Sequence, residues 1–206
     1  MNYLSIEASE PESWLVAQAV RVLERGGLLA LPTDTVYALA CRISSRDSIR
    51  KIYELKDLDP KKHLSILLPD LATAGRYARG LTTPVFRLMK RVLPGGYTFI
   101  FQSSSEVPKI MLRKRKTIGV RMPDNEICLA ILREMDEPLV TTSVQNPEDE
   151  YLVDPLHIDA MYGSALDLVV DGGVLETNPS TVVDFSSGEA ELVRAGKGDV
   201  EALELF

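Results

Sequence analysis

The sequence predicts a single α/β domain over residues 1–206, and three observations support this fold class. Strand-like and helix-like segments alternate along the chain. Several strand-like segments are continuous apolar runs, which is typical of strands that helices cover on both faces. No internal repeat or low-complexity linker divides the sequence, and a chain of this length can bury a core of ordinary size.

Six segments have the apolar spacing and the end signals of helices. In the first, five apolar residues recur at helical spacing between Leu15 and Leu23, and Gly26 follows as a residue type that often ends a helix. Ser45 and Pro84 are start signals, because serine caps a first turn and the fixed φ of proline fits one. The predicted helices are residues 10–25, 45–55, 70–79, 85–92, 126–135 and 155–162.

Eight shorter apolar or β-branched segments, bounded by turn residues, indicate strands. They are residues 28–31, 64–68, 97–102, 117–121, 139–142, 168–170, 180–184 and 191–194.

The composition is that of a folded globular protein, with 45% hydrophobic and 26% charged residues. No apolar stretch approaches the ~20 residues that span a bilayer. The first ten residues lack the basic residues that begin a signal peptide. We therefore expect a cytoplasmic protein without membrane attachment.

The two cysteines, Cys41 and Cys128, lie far apart and form no cluster with histidine. This pattern argues against a zinc site and against a disulfide-stabilised fold, so we expect both to be small buried hydrophobic residues. The phosphate-binding motifs G-x-x-x-x-G-K-[ST] and G-x-G-x-x-G do not occur in the sequence. Any nucleotide must be held mainly by side chains and scattered backbone amides.

Clusters of hydroxyl groups follow two of the predicted strands. Thr33 and Thr35 flank Asp34 after the strand at 28–31, and Ser143 follows two threonines at the end of the strand at 139–142. Ligands bind open α/β sheets just outside strand ends, so the two clusters indicate one polar pocket with two hydroxyl-bearing walls. The alternative is that both are ordinary transitions from strand to turn.

The net charge of −7 is unfavourable for general affinity to nucleic acid, but the charge is unevenly distributed. Five cations fall within eight residues, at Lys109, Arg113, Lys114, Arg115 and Lys116. A local basic patch can bind a polyanion despite an acidic total, and we predict that these residues bind RNA. The alternative is a solvated basic loop.

Seven segments in order resemble the signatures of the YrdC-domain family: LPTDTVYALA, LKDLDPKKHLSILL, LPGGYTFIF, KTIGVRMP, PLVTTS, PSTVVDF and VRAGKGD. The resemblance covers roughly residues 26–199 and is greatest to the YciO branch. It implies a twisted, open, mixed sheet with helices on its faces and a central anion-binding cavity. It also implies that the second C-terminal domain of some family members is absent.

Members of this family with an assigned activity are threonylcarbamoyl-AMP synthases. The resemblance therefore implies a nucleotidyltransferase that joins L-threonine, bicarbonate and ATP, with Mg²⁺ on the phosphates, to make the intermediate used in tRNA modification. It also implies binding of double-stranded RNA or tRNA. The alternatives are a non-catalytic RNA-binding module, or a hydrolase or regulator that uses the same pocket.

The resemblance assigns roles to residues at matching positions. No protein side chain is expected to hold a metal. The predicted catalytic residues are Lys56 and Arg121; the substrate-binding residues are Thr33, Thr35, Ser180 and Thr181; the nucleotide-binding residues are Lys56, Lys62, Thr117, Ser143, Gln145 and Arg194.

Two departures from the synthase pattern put turnover in question. Where the synthases have K-x-R, this chain has Leu58 in place of the arginine, so a bidentate phosphate donor is lost. Where they have S-x-N, it has Gln145, whose amide is on an arm one methylene longer. Lys61 or Lys62 is a candidate to restore the missing charge.

Overall fold

The computed structural model describes residues 2–56, 64–112 and 116–205. Within them, eleven strands form one mixed sheet in the order β1-β9-β2-β3-β8-β4-β7-β6-β10-β11, and β5 pairs with β6. The strands are β1 (Tyr3–Ser5), β2 (Leu29–Leu31), β3 (Ala38–Arg42), β4 (Ser65–Leu67), β5 (Ala78–Arg79), β6 (Tyr97–Ser103), β7 (Thr117–Arg121), β8 (Leu139–Ser143), β9 (Leu168–Asp171), β10 (Thr181–Asp184) and β11 (Glu191–Arg194).

Helices cover both faces of this sheet. They are α1 (Ser13–Glu24), α2 (Arg46–Leu55), α3 (Ala74–Tyr77), α4 (Thr83–Val92), α5 (Glu126–Met135) and α6 (Pro155–Tyr162), with short 3-10 helices at Lys109–Leu112 and Glu201–Leu203. Two helices begin with side-chain caps, because Asn125 accepts a bond from a first-turn amide of α5 and Asp154 does so for α6.

All eight predicted strands and five of the six predicted helices occur, with ends that shift by at most three residues. The helix predicted at 70–79 is wrong in extent. Asp70 accepts bonds from the amide and hydroxyl of Thr73, the helix lasts only four residues, and the chain then forms β5. The prediction also missed β1 and β3.

Side chains alternate between two cores, one on each face of the sheet. On one face, Leu67 of β4 and Leu139 of β8 pack in a cluster with α1 and α5. On the other face, Ile66 and Val140 pack in a larger cluster with α2, α4 and α6.

The face under α1 and α5 turns polar further along the same strands. Ser65 lies on the same face as Leu67, while Thr141 and Ser143 lie on the same face as Leu139, because they are two or four residues apart. Ser65 pairs with both Thr141 and Gly119 across neighbouring strands. The sheet therefore carries a row of small polar residues where the helices end.

Cys41 and Cys128 are free thiols, and both are fully buried as expected. Burial raises the pKa of each thiol to about 12. Within the described ranges, no helix has the length and hydrophobicity needed to cross a membrane.

The helix-covered core predicts a sharp contrast between two leucines. Leu67 is completely buried and Leu156 is 64% exposed. Leu67→Ala should lower the free energy of unfolding by about 2–5 kcal/mol, since it leaves a cavity. Leu156→Ala, the same chemical change at the surface, should alter it by about 0.5 kcal/mol or less. Urea denaturation measures both, and equal effects would contradict this placement of the core.

Candidate functional site

A cavity of about 280 Å³ lies over the polar row of the sheet. Its floor and walls come from several strands, and its members include Ser65 of β4, Thr98 of β6, Gly119 and Arg121 of β7, and Ser143 of β8. Ligand pockets commonly measure ~300–1,000 Å³, so this cavity can enclose part of a nucleotide rather than the whole molecule.

Arg121 lines the cavity, whereas Thr33, Asp34 and Thr35 line a separate recess of about 280 Å³. A buried ion pair joins Arg121 to Asp34. Their side chains are 9% and 3% exposed, and the guanidinium Nη2 lies 3.2 Å from the Asp34 Oδ1. Burial lowers the pKa of Arg121, and the adjacent carboxylate opposes that effect. Among the described residues, the Arg121 Nε and the Asp34 Oδ2 have no hydrogen-bond partner. The pair therefore contains one buried donor and one buried acceptor whose hydrogen bonds are unsatisfied.

The turn between β2 and β3 brings both predicted threonines to this pair. The Thr35 hydroxyl accepts a 2.9 Å bond from Arg121 and lies 3.0 Å from the Thr33 hydroxyl. Thr33 donates to the carbonyl of Val36 and accepts from the amide of Thr35. The turn is thus rigidly bonded within itself, and Thr35 is the member that contacts the cation.

A second cation, Arg194 on the edge strand β11, lies at the rim of the cavity. Its Nε and Nη2 donate to the Ser180 carbonyl at 3.0 and 2.8 Å, and Nη2 also reaches the Ser180 hydroxyl. That hydroxyl lies 2.8 Å from the Thr98 hydroxyl inside the cavity. Arg194 and Ser180 therefore form one connected wall.

Lys56 lies behind the wall that Ser143 forms. Its Nζ donates to the Ser143 carbonyl at 2.6 Å and to the Gln145 Oε1 at 3.0 Å. The Gln145 amide nitrogen in turn donates to the Asp149 carbonyl at 2.8 Å. Gln145, one of the two departures from the synthase pattern, is thus hydrogen-bonded to Lys56. The other departure, Leu58, lies outside the described residues.

Three other predicted site residues have different placements. Thr181 is fully buried, and its hydroxyl donates to the Gly198 carbonyl and accepts from the Gly196 amide, so it anchors the loop after β11 and does not line the cavity. Thr117 lies on the cavity face of β7, opposite Gln102 and beyond the enclosed volume. Lys62 is outside the described residues.

Sequence reasoning missed several cavity residues, namely Ser65, Thr98 and Gly119. All three lie within strands, whereas the predicted hydroxyl clusters stand at strand ends, and Thr141 of the second predicted cluster lines the cavity. A signal was present at Gly119, because glycine inside a strand often marks a close approach of backbone or ligand.

No cluster of His, Cys, Asp and Glu side chains able to hold a metal ion occurs in the part of the chain that the structure describes. Asp34 is the acidic residue beside the cavity, and its Oδ1 is paired with Arg121. A Mg²⁺ ion would fit here only with ligands supplied by a phosphate chain.

A larger recess of about 860 Å³ lies beside the C-terminal ends of β6 and β10. We call it the cationic cleft, and it is defined by Arg79, Lys109, Lys116, Gln102–Ser105 and Phe185–Gly188. No acidic side chain is among its described lining residues. The predicted RNA-binding residues Lys109 and Lys116 line it, and Arg113, Lys114 and Arg115 lie outside the described residues.

The buried pair predicts that Asp34 is important for stability. Asp34→Ala leaves the Arg121 charge buried without its partner, so the free energy of unfolding should fall by about 3–5 kcal/mol. The surface pair of Arg91 and Glu204 is the control, with side chains 47% and 73% exposed. Glu204→Ala should cost about 1 kcal/mol or less. A similar destabilisation in the two variants would show that burial does not set the strength of the Arg121 pair.

Comparison with solved structures confirms the predicted fold class. The structure superimposes on the crystal structure of E. coli YciO with a TM-score of 0.92 over 98% of both chains, at 35% identity. It also shares its fold with P. abyssi Sua5 complexed with L-threonine, with a TM-score of 0.89 at 24% identity. That match covers 95% of this chain and 58% of the Sua5 chain.

Sequence comparison identifies the family. The chain is 36% identical over 202 residues to the uncharacterized protein YciO of Escherichia coli K12, covering 97% of this chain and 98% of YciO. It is 31% identical over 204 residues to the threonylcarbamoyl-AMP synthase of Homo sapiens, covering 93% of this chain and 72% of that enzyme. Residues 21–196 match the Sua5/YciO/YrdC family model, described as telomere recombination. The chain therefore belongs to the Sua5/YciO/YrdC family.

Proposed function

We propose that the cavity binds L-threonine and the reacting end of ATP, and that the protein forms threonylcarbamoyl-AMP with bicarbonate as the third substrate. The observation that carries this proposal is the buried Arg121, which contacts Thr35 and faces a cavity lined by hydroxyl groups. The relatives with assigned activities support the same chemistry, since they include threonylcarbamoyl-AMP synthases.

The charges around the cavity suit an anionic ligand. Arg121 retains an unpartnered Nε, and Arg194 presents a second guanidinium at the rim. Hydrogen bonds between guanidinium groups and phosphate or carboxylate are short and strong. The hydroxyls of Ser65, Thr141 and Ser143 offer further donors or acceptors along the floor.

The reaction needs no protein nucleophile. The neutral amine of L-threonine adds to bicarbonate-derived CO₂ and gives a carbamate, with one water released overall. A carbamate oxygen then attacks the α-phosphorus of ATP, the bond to the β-phosphate breaks, and pyrophosphate leaves with the electron pair. Mg²⁺ bound by the phosphates would neutralise part of their charge.

The protein contributes position and electrostatic stabilisation to these steps. Thr35 is placed to orient the amino acid, and Arg121 to stabilise negative charge on the reacting phosphate. Arg194 and Ser180 close the opposite wall. Holding reactants in this way can supply ~7–11 kcal/mol of the barrier.

In this proposal Lys56 does not contact the ligand directly. It supports the Ser143 carbonyl and the Gln145 amide, so Arg121 and Arg194 carry most of the contact with anions. Of the predicted partners, ATP, L-threonine and bicarbonate belong to this proposal. The cytoplasmic location stays a prediction.

Pyrophosphate release tests the proposed reaction. With ATP, L-threonine, bicarbonate and Mg²⁺ present, the protein should release pyrophosphate. Omission of ATP, of L-threonine or of bicarbonate should stop the release. Arg194→Met should lower the rate ~10²-fold, because it removes one of the two guanidinium groups that bind the anionic ligand in this proposal. Arg91→Met, on the surface pair with Glu204, is the control and should retain the wild-type rate.

Other outcomes distinguish the alternatives. Pyrophosphate release from ATP without threonine would favour a hydrolase. If isothermal titration detects no heat with either ATP or L-threonine, the pocket does not bind these ligands and the proposal fails.

A second candidate function is binding of double-stranded RNA or tRNA in the cationic cleft. The observation that favours it is the grouping of Arg79, Lys109 and Lys116, with no acidic side chain among the lining residues that the structure describes, in a protein of net charge −7. Cations that neutralise phosphates release counterions and so give salt-dependent affinity.

Removal of the three cleft cations should weaken RNA binding in a measurable way. The variant Arg79→Ala/Lys109→Ala/Lys116→Ala should reduce the slope of log affinity against log salt by ~0.9 for each RNA phosphate that these cations neutralise. The variant Arg21→Ala/Arg25→Ala/Lys51→Ala makes the same charge change outside the cleft. Fluorescence anisotropy with duplex RNA measures both, and identical slopes would contradict this site.

A further inference from the structure

Gly119 occupies an unusual position for a glycine. It is the middle residue of β7, a strand hydrogen-bonded on both sides, to β4 and to β6. It also lines the floor of the cavity. Glycine destabilises a strand interior relative to alanine, so its presence here requires a compensating reason.

Two reasons are available, one structural and one functional. A Cβ at position 119 would lie 2.6 Å from the Ser65 hydroxyl and 3.3 Å from the Thr98 Cγ2. Packing against these two side chains could therefore require glycine. A third contact, at 3.3 Å, would be with the Ser65 Cβ. All three involve short side chains that themselves face the cavity, so the same glycine also makes the cavity deeper.

The position of Gly119 relative to Arg121 indicates what lies above it. The two residues are on the same face of β7 and two residues apart, which corresponds to ~7 Å along the strand. A ligand group that rests on Gly119 is therefore next to the buried cation. Ser65 and Thr141 continue the same row with hydroxyl groups.

We infer that Gly119 is a nucleotide-contact position, at which the ribose and α-phosphate end of the nucleotide rests directly on the backbone of β7. The inference rests on the proposed function, in which the α-phosphate reacts beside Arg121. A side chain at this position would lift the phosphate away from the guanidinium.

The experiment separates the functional reason from the packing reason. Ser65→Ala removes the hydroxyl that a new Cβ would strike, so it is the reference protein. Gly119→Ala is then added to it, and AMP binding is measured by isothermal titration. We expect the double variant to bind AMP about 10- to 100-fold more weakly than Ser65→Ala, because the ligand is displaced from the floor.

Two further variants control for folding. Gly75→Ala is the same substitution at a site where a Cβ meets no atom within 4 Å, and it should leave AMP affinity at the wild-type value. If the double variant does not fold, Thr98→Ser is added, which removes the Cγ2 contact and keeps the hydroxyl that pairs with Ser180.

The outcomes have separate meanings. Equal AMP affinity in the folded variant that carries Gly119→Ala and in the otherwise identical protein with Gly119 would overturn this inference and leave the proposed function standing. If the wild-type protein binds no AMP, no ATP and no L-threonine, the proposed function fails and the inference fails with it.

Discussion

The alternation of side chains along two central strands, β4 and β8, is the constraint on which the fold and the cavity both depend. On β4 and β8, Leu67 and Leu139 face α1 and α5, while Ser65 and Thr141 face the cavity from the same side of the sheet. A shift of one residue in either strand would exchange the two faces. It would put hydroxyl groups into the apolar core and leucine into the cavity, so the packing that stabilises the protein also fixes the register of its site.

Electrostatics extend this constraint to the turn after β2. A guanidinium buried on β7 is costly unless a carboxylate compensates it. Asp34 supplies that charge from the turn between β2 and β3, and β3 lies three strands from β7 in the sheet. The Lys197 ammonium, from the loop after β11, donates to the Asp34 carbonyl. Arg121 therefore fixes the turn after β2, and Lys197 joins the loop after β11 to the same turn.

Local signals predicted most of the fold and part of the site. Apolar runs and capping residues located the strands and helices well, as for α5 and β7, whose bounds match the prediction. The sequence analysis did not predict β3, because its sequence, ALACR, lacks the β-branched and aromatic residues that mark strands. Pairing with β2 and β8 stabilises this strand instead. Residues such as Ser65 were not predicted to line the cavity for a different reason. Their role arises from which strands are neighbours, and strand order is not encoded in any single segment.

Lys56 matches the lysine of the family motif, but its hydrogen-bond partners within the protein change what it can bind. In this chain the longer arm of Gln145 meets the Lys56 ammonium, and the same ammonium also bonds the Ser143 carbonyl. These bonds use donors that a phosphate would otherwise accept, since an ammonium has three. The extra methylene of Gln145 thus bears on the charge that Lys56, 89 positions earlier in the sequence, can offer to an anion. Divergence within the family can therefore alter anion recognition through the partners of a retained residue, while the residue itself stays the same.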